Sequence, residues 1–140
     1  MSKIAIVYWS GTGNTQAMAE AVEAGAKDKG AETSLLTSAD FDSSKLADYD
    51  AVAFGCPAMG AEVLEESEFD PMFTALESSL SGKKIALFGS YGWGDGQWMR
   101  DWEARCKEAG AKLAMPGVIA HLTPDDDAIG ECSALGAALA

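Results

Sequence analysis

The segment IAIVYWSGTGNT, residues 4–15, begins with six consecutive apolar residues and continues into a loop of glycines and hydroxyl side chains. A continuous apolar run of this length is typical of a strand that is buried on both faces. From Asn14 to Lys29 the apolar residues recur every three or four positions, which is the spacing of a helix face. A buried strand, a tight loop and a helix in this order predict the first unit of an α/β fold.

The rest of the chain repeats this alternation of strand-like and helix-like segments. Further strands are expected at about 33–36, 51–55 and 85–88, with a fifth that starts at Leu113, breaks near Pro116-Gly117 and resumes over 118–122. Helices are expected within 38–48, from Pro71, over 96–109 and after Thr123, with Thr123 as N-cap and Pro124 as first helical residue. This order predicts a parallel sheet covered by helices on both faces, with ligands beyond the carboxyl ends of the strands.

Size and charge limit the class of protein. A chain of 140 residues predicts one domain, 1–140, and no apolar run approaches the ~20 residues of a membrane-spanning helix. The 22 acidic and 10 basic residues give a net charge of −12, which disfavours nucleic acid and anionic membranes and favours basic protein partners. Three scattered cysteines and the lack of a secretory signal indicate a cytoplasmic protein without a disulfide framework or metal site.

The loop Ser10–Thr15 has the composition of a phosphate-binding loop, because its backbone N–H groups can converge at the start of a helix. It lacks the lysine of a Walker loop, and Gln16 stands where a dinucleotide-binding loop has its third glycine. It also lacks the acids of a response-regulator receiver. Two interpretations stay open: a site that holds phosphate through neutral hydrogen bonds alone, and a glycine-containing turn that only caps the helix.

Two further loops decide between these interpretations. The stretches Cys56–Glu62 and Gly89–Gly94, together with Ser10–Thr15 and the tail Asp95–Asp101, resemble the cofactor loops of short-chain, clostridial-type flavodoxins. Three matching loops at successive strand ends are more specific than any one of them. The resemblance covers nearly the whole chain and implies a flavodoxin-like three-layer sandwich with a five-stranded parallel sheet in the order 2-1-3-4-5.

The resemblance also implies noncovalently bound FMN. The phosphate would be held by the side chains of Ser10, Thr12, Asn14 and Thr15 and the amides of Gly11 and Gly13. Met59 and Trp93 would flank the isoalloxazine ring, Glu62 would accept from its N3–H, and backbone groups of Gly89, Ser90, Tyr91, Gly92 and Trp93 would reach its pyrimidine edge. The remaining residues of the first ring loop are Pro57, Ala58, Gly60 and Ala61. No catalytic residue and no metal ligand is expected.

Two positions depart from the family pattern. Pro57 stands where relatives commonly carry a hydroxyl residue that contacts the phosphate, and proline offers neither a hydroxyl nor an N–H. Ala61 follows Gly60 where relatives often carry Asp, Asn or Ser. Because alanine resists the left-handed backbone region, Ala61 is expected to disfavour one of the two turn conformations that this loop adopts in the family.

The implied function is that of a low-potential one-electron carrier, with FMN passing between its oxidised, semiquinone and hydroquinone states. Partners are expected to be basic or ferredoxin-interacting redox proteins, which dock on an acidic rim formed by Glu62, Glu65, Glu66, Glu68 and Asp70. We expect a monomer. The alternatives are an FMN-dependent quinone or nitro reductase on the same fold and a flavin-free binding domain.

Several conspicuous residues are assigned structural roles. Trp98 and Trp102 share one helix face and are expected in the core, and His121 is expected to be a structural residue of the fifth strand. Cys56, Cys106 and Cys132 are expected to behave as small buried apolar groups.

Overall fold

The computed structural model describes residues 2–11, 13–59, 63–92 and 94–140. Within these ranges the strands are β1 Lys3–Tyr8, β2 Glu32–Thr37, β3 Ala51–Gly55, β4 Lys84–Tyr91, β5 Lys112–Leu113 and β6 Val118–His121. The helices are α1 Asn14–Asp28, α2 Ser43–Leu46, α3 Phe69–Leu76, α4 Gln97–Glu108 and α5 Asp126–Leu139. Short 3₁₀ turns at Ser38–Asp40 and Glu77–Ser79 complete the regular structure of the described residues.

The strands form one parallel sheet in the order β2-β1-β3-β4, with β5 and β6 both paired to β4. The predicted order 2-1-3-4-5 is therefore confirmed, and the expected break near Pro116-Gly117 divides the fifth strand into β5 and β6. Tyr8 pairs with Gly55, and Gly55 pairs with Phe88. This register ends β1 and β3 at the same level, so that the loops that follow them meet at one edge.

Two apolar clusters lie on opposite faces of the sheet, which confirms the predicted helices on both faces. One cluster is covered by α1 and α5 and includes Met18, Val22 and Leu135. The other is covered by α3 and α4, where Phe69 and Phe73 pack edge-on against Trp102. Trp98 and Trp102 are both buried, as predicted for core residues.

The contact between α1 and α5 depends on two glycines. A Cβ atom on Gly25 would lie 1.9 Å from the carbonyl oxygen of Ser133, and one on Gly136 would lie 1.9 Å from that of Val22. Distances this short are sterically forbidden, so each helix approaches the backbone of the other only because the facing residue has no side chain. The two helices thus form a closely packed layer that holds α1 in position.

The start of α5 corrects one prediction. Thr123 is not the N-cap and Pro124 is not the first helical residue. The N-cap is Asp125, whose carboxylate accepts a hydrogen bond of 2.8 Å from the amide of Ala128, and the helix begins at Asp126. An aspartate is as good an N-cap as any residue type and here reaches the third amide of the helix, so the cap forms two residues later than expected.

Helix α3 begins at Phe69, two residues before the expected start at Pro71, and one buried carboxylate accepts from the amide of its first residue and from those of the preceding turn. Glu65 accepts hydrogen bonds from the amides of Ser67 (2.9 Å), Glu68 (2.7 Å) and Phe69 (2.9 Å) and from the Ser67 hydroxyl. The residue is 6% exposed. Glu65 therefore organises the turn that leads into α3.

Replacing Gly136 with alanine should destabilise the fold despite the better helix propensity of alanine, because the added Cβ would collide with the backbone of α1. We expect Gly136→Ala to lower the free energy of unfolding, measured by urea denaturation, by about 1–3 kcal/mol. Gly130 lies on the same helix with open space around it. Gly130→Ala is the matched control and should stabilise the protein by about 0.5–1 kcal/mol. A stabilised Gly136→Ala protein would contradict the proposed close contact.

Lowering the pH should remove the contribution of Glu65. Burial alone raises the pKa of this carboxyl, but the hydrogen bonds from Ser67, Phe69 and Glu68 hold it at about 2, against a usual 4.5. The folded chain therefore binds this proton less readily than the unfolded chain. The resulting stabilisation, about 3 kcal/mol, is complete above pH 4.5 and is lost as the pH falls toward 2.

Urea denaturation of Glu65→Gln between pH 6 and pH 2.5 tests this dependence. The variant should be less stable than the parent at pH 6, and the two free energies of unfolding should approach each other at pH 2.5. Glu66→Gln, which changes an exposed neighbour, should follow the parent at every pH. A constant difference between Glu65→Gln and the parent would show that Glu65 does not titrate as described.

Candidate functional site

A cleft opens at the edge of the sheet where β1, β3 and β4 end. We call it the strand-end cleft, and the described residues that line it are Trp9, Gly11, Asn14, Pro57, Ala58, Met59, Ser90, Tyr91, Gly92 and Leu122. All three loops predicted to bind the cofactor contribute to it. The structure therefore brings together residues as far apart in the chain as Trp9 and Leu122, which are separated by 113 positions.

Backbone N–H groups of the first loop converge on one oxygen atom. The Ser10 hydroxyl oxygen accepts hydrogen bonds from the amides of Gly13 (3.0 Å) and Gln16 (3.3 Å). Gly13 is the N-cap of α1, has φ 96° and provides no side chain to cap the helix. The amides of the N-cap and of the first helical turn thus converge at the positive end of α1, where an anion is favoured, and the structure pairs both of them with the Ser10 hydroxyl.

The donor set of the strand-end cleft fits an anion held without a cation. None of the described lining residues carries a formal charge, and the first turn of α1 contains no acidic residue that would neutralise the positive end of the helix dipole. Trp9, Met59 and Tyr91 contribute large, mainly apolar side chains to the lining of the same cleft. A phosphate at the helix end joined to a flat, largely apolar ring system therefore fits this cleft, as FMN requires.

Thr15, predicted to contact the phosphate, is almost fully buried, and its hydroxyl lies 3.2 Å from the hydroxyl of Ser90. Ser90 is also buried and lines the cleft. This pair links the first turn of α1 to the end of β4. Thr15 is not among the described residues that line the cleft, and its predicted contact with the phosphate stays a prediction.

The loop after β3 is closed by reciprocal backbone hydrogen bonds. The amide of Met59 donates to Val63 at 2.8 Å, and that of Val63 donates to Met59 at 3.1 Å. The amide of Ala58 donates to the carbonyl of Ser90 at 3.0 Å. Met59 therefore lines the cleft from a loop that is held on both sides, and its predicted contact with the ring stays a prediction.

Gly89, by contrast, does not line the cleft. It lies within β4, where a Cβ atom would come within 2.2 Å of the Cys56 carbonyl oxygen. Because it has no side chain, Gly89 allows the ends of β3 and β4 to approach each other. At the end of β4, the carbonyl of Tyr91 accepts a hydrogen bond of 2.7 Å from the amide of Leu122.

Cys56 supports the cleft from below and is not a reactive thiol. Its carbonyl accepts a hydrogen bond of 3.2 Å from the indole of Trp98, and its sulfur accepts one of 3.3 Å from the amide of Glu65. Burial raises the pKa of the Cys56 thiol to about 12, so the nucleophilic thiolate is not formed near neutral pH. The expectation that Cys56, Cys106 and Cys132 are buried apolar groups is confirmed.

Five of the predicted site residues lie outside the described part of the chain. They are Thr12 in the first loop, Gly60, Ala61 and Glu62 in the second and Trp93 in the third. The roles expected of them in phosphate binding, turn conformation, contact with N3–H and ring stacking stay predictions.

Two of the five acids predicted to form a docking rim make contacts within the chain. The carboxylate of Glu65 is buried and bonded to the amide of Phe69 at the start of α3, so it cannot contribute to an exposed rim. Asp70 is engaged by Arg105 at 2.7 Å, which offsets its charge. Glu66 and Glu68 are exposed, and their predicted part in docking stays a prediction.

Two lining residues were not predicted as site residues. Trp9 was counted only as the end of the first strand, although its position directly before the phosphate-type loop places it at the carboxyl edge of the sheet. Leu122 follows β6, whose end was not considered as a source of site residues. The general rule that ligands lie beyond strand ends would have identified both.

Among residues 2–11, 13–59, 63–92 and 94–140, His, Cys, Asp and Glu side chains form no group of three or more that could hold a metal ion. In the same ranges no helix has both the length and the apolar character needed to cross a bilayer.

Comparisons with known proteins agree with this geometry. The family model described as flavodoxin matches residues 6–135. The chain is 45% identical to a flavodoxin of Megasphaera elsdenii over 98% of both chains, and 47% identical to one of Clostridium beijerinckii over 86% of this chain and 88% of the other. The solution structure of the two-electron reduced Megasphaera elsdenii flavodoxin superposes with a TM-score of 0.87 over 97% of each chain, at 46% identity.

The family match spans most of the chain, and the two relatives exceed 40% identity over nearly their whole length. The cleft meanwhile has the donors and the apolar wall that FMN requires. The chain therefore belongs to the flavodoxin family and is an FMN-binding electron carrier rather than an enzyme.

Proposed function

We propose that the strand-end cleft is the FMN site, with the phosphate at the start of α1 and the ring system against Met59 and Tyr91. The phosphate would be bound by Ser10, Gly11, Thr12, Gly13, Asn14 and Thr15. The ring system would be bound by the loops Pro57–Glu62 and Gly89–Trp93. In this proposal the chain acts as one domain and as a monomer in the cytoplasm.

The observation that carries this proposal is the convergence of the amides of Gly13 and Gln16 on Ser10, next to the cleft residues Gly11 and Asn14. The described residues that line the cleft carry no charge. Neutral N–H and O–H groups bind phosphate because several of them point at its oxygen atoms, and not because they carry a net positive charge. In the glycine-rich loop these donors are brought together before the ligand arrives, which reduces the entropic cost of binding.

When FMN is bound, it supplies the one-electron chemistry, and the protein controls its surroundings. The apolar wall of Trp9, Met59 and Tyr91 excludes water from one side of the cleft. In such surroundings, with no cationic side chain among the described lining residues and in a chain of net charge −12, additional negative charge is poorly stabilised. We therefore propose that this chain is a low-potential carrier.

The proposed partners are redox proteins with a basic surface near their own redox centre. Glu66 and Glu68 are exposed and follow closely after Val63, which pairs with the cleft residue Met59. Val63 is itself 41% exposed, so it offers an apolar surface that a partner could contact, close in the chain to the negative charges of Glu66 and Glu68. That combination favours electrostatic steering of a basic partner toward the open side of the cleft.

Titration with FMN and with riboflavin tests the phosphate assignment. The Ser10 hydroxyl organises the amides of its loop, and riboflavin has no phosphate to use them. We expect Ser10→Ala to raise the dissociation constant for FMN by about tenfold or more, the scale of a lost hydrogen bond to a charged group. Binding of riboflavin should change by less than twofold.

Ser43→Ala is the control for this titration, because Ser43 starts α2 and does not line the cleft. It should leave both dissociation constants unchanged. A parent protein that shows no flavin absorption and binds neither ligand would refute the site. Equal losses for FMN and riboflavin in Ser10→Ala would refute the placement of the phosphate.

Electron transfer from the reduced protein to a basic haem protein tests the docking surface. The rate should fall as salt is raised, because exposed charges are screened over ~10 Å at 0.1 M. The double variant Glu66→Gln/Glu68→Gln should slow the low-salt rate by about two- to fivefold and flatten its salt dependence.

The matched control is Asp28→Asn/Glu108→Gln, which removes the same charge where α1 and α4 end, at the sheet edge opposite the cleft. It should keep nearly the full rate. Equal slowing in both double variants would attribute the effect to net charge and contradict docking at Glu66 and Glu68.

A further inference from the structure

Leu122 has an unfavourable backbone conformation. Among the described residues it is the one non-glycine residue with positive φ, at 60°. In this left-handed region the Cβ atom crowds the following carbonyl oxygen, so glycine, asparagine and aspartate occupy it far more readily than a leucine. The strain lies between the end of β6 and the approach to α5.

Contacts with the loop after β4 hold Leu122 in this conformation. Its amide donates to the carbonyl of Tyr91 at 2.7 Å, which extends the pairing of β4 with β6 by one residue. Its side chain lies above Gly92, where a Cβ atom would come within 3.1 Å of the Leu122 Cδ2 atom. The backbone turn therefore places the leucine side chain directly beside the strand-end cleft.

Core packing does not account for this strain. Leu122 is 53% exposed and, with Val63, is one of two large apolar residues that the described part of the chain leaves open to solvent. Its side chain lines the same cleft as Trp9, Met59 and Tyr91. Strained residues of this kind persist mainly at functional sites, where the side-chain position offsets the cost of the backbone.

We propose that Leu122 is a flavin-binding residue, whose strained backbone places an apolar side chain against the ring system of FMN. The ring would cover the exposed half of the side chain, and the side chain would keep water from that part of the ring. This inference rests on the assignment of the strand-end cleft to FMN. It adds the loop after β6 to the three loops named by the sequence.

Two substitutions separate the contact from the strain. Leu122→Ala removes most of the side chain and keeps a residue that resists positive φ, whereas Leu122→Asn also removes the apolar side chain but tolerates the backbone. Dissociation constants for FMN and riboflavin are measured by titration of flavin fluorescence. Urea midpoints are measured on the full chain without flavin.

Leu122→Ala should raise the dissociation constants for FMN and riboflavin by the same factor, about tenfold for half of a leucine side chain. Without flavin, Leu122→Asn should have a higher urea midpoint than Leu122→Ala, because only asparagine relieves the strain. Riboflavin affinity within twofold of the parent in Leu122→Ala would refute the contact. A midpoint of Leu122→Asn at or below that of Leu122→Ala would refute the strain.

The parent and Ser10→Ala distinguish failure of this inference from failure of the FMN site. If the parent binds both flavins and Ser10→Ala loses affinity for FMN alone, the site is supported, and an unchanged Leu122→Ala protein then refutes only the role of Leu122. If the parent binds neither flavin, the site and this inference are both refuted.

Discussion

The close approach of β3 and β4 at Cys56 is the contact on which the functional edge of this fold depends. The Cys56 amide donates to Phe88, its carbonyl accepts from the Trp98 indole, and the same carbonyl faces Gly89 at a distance that leaves no room for a Cβ atom. Because these bonds lie directly below the two ring loops, they determine how far apart the loops can be. The sulfur of Cys56, which accepts from the amide of Glu65, connects the same point to the start of α3.

The position of α1 is controlled from its other side. Gly25 and Gly136 let α1 and α5 come into backbone contact, so the axis of α1 is set by packing along its length and not by its loop. The loop is therefore not needed to position the helix. The Ser10 hydroxyl accepts hydrogen bonds from two amides at the start of α1. A helix that is fixed independently of its ligand can present its N-terminus in a constant orientation, which is what preorganised anion binding requires.

Patterns within short segments predicted much of this structure, and contacts between segments explain what they did not predict. The strand Ala51–Gly55 and the broken fifth strand follow from local apolar runs and from Pro116-Gly117, and both are confirmed. The roles of Glu65 and Leu122 could not be obtained in this way. An acidic stretch does not show which of its carboxylates will bond to the start of the following helix, as Glu65 does. A leucine in the sequence likewise does not indicate positive φ. The backbone of Leu122 is held in that conformation by contacts with Tyr91 and Gly92, which are distant in the chain.

The distribution of charge explains how so acidic a chain can bind an anionic cofactor. A net charge of −12 would weaken the binding of FMN if it were spread evenly. Several acids, however, make contacts away from the cleft. The carboxylates of Glu65 and Asp125 accept from amides at helix starts, and that of Asp70 pairs with Arg105. The described cleft residues are uncharged, and the first turn of α1 carries no acid. Electrostatic interactions weaken with distance and are screened in salt. In the proposed site the nearby helix dipole and amides would therefore govern binding of the phosphate, and the remote acids would govern the approach of the proposed partners. On this proposal, local neutrality serves cofactor binding and global acidity serves protein docking.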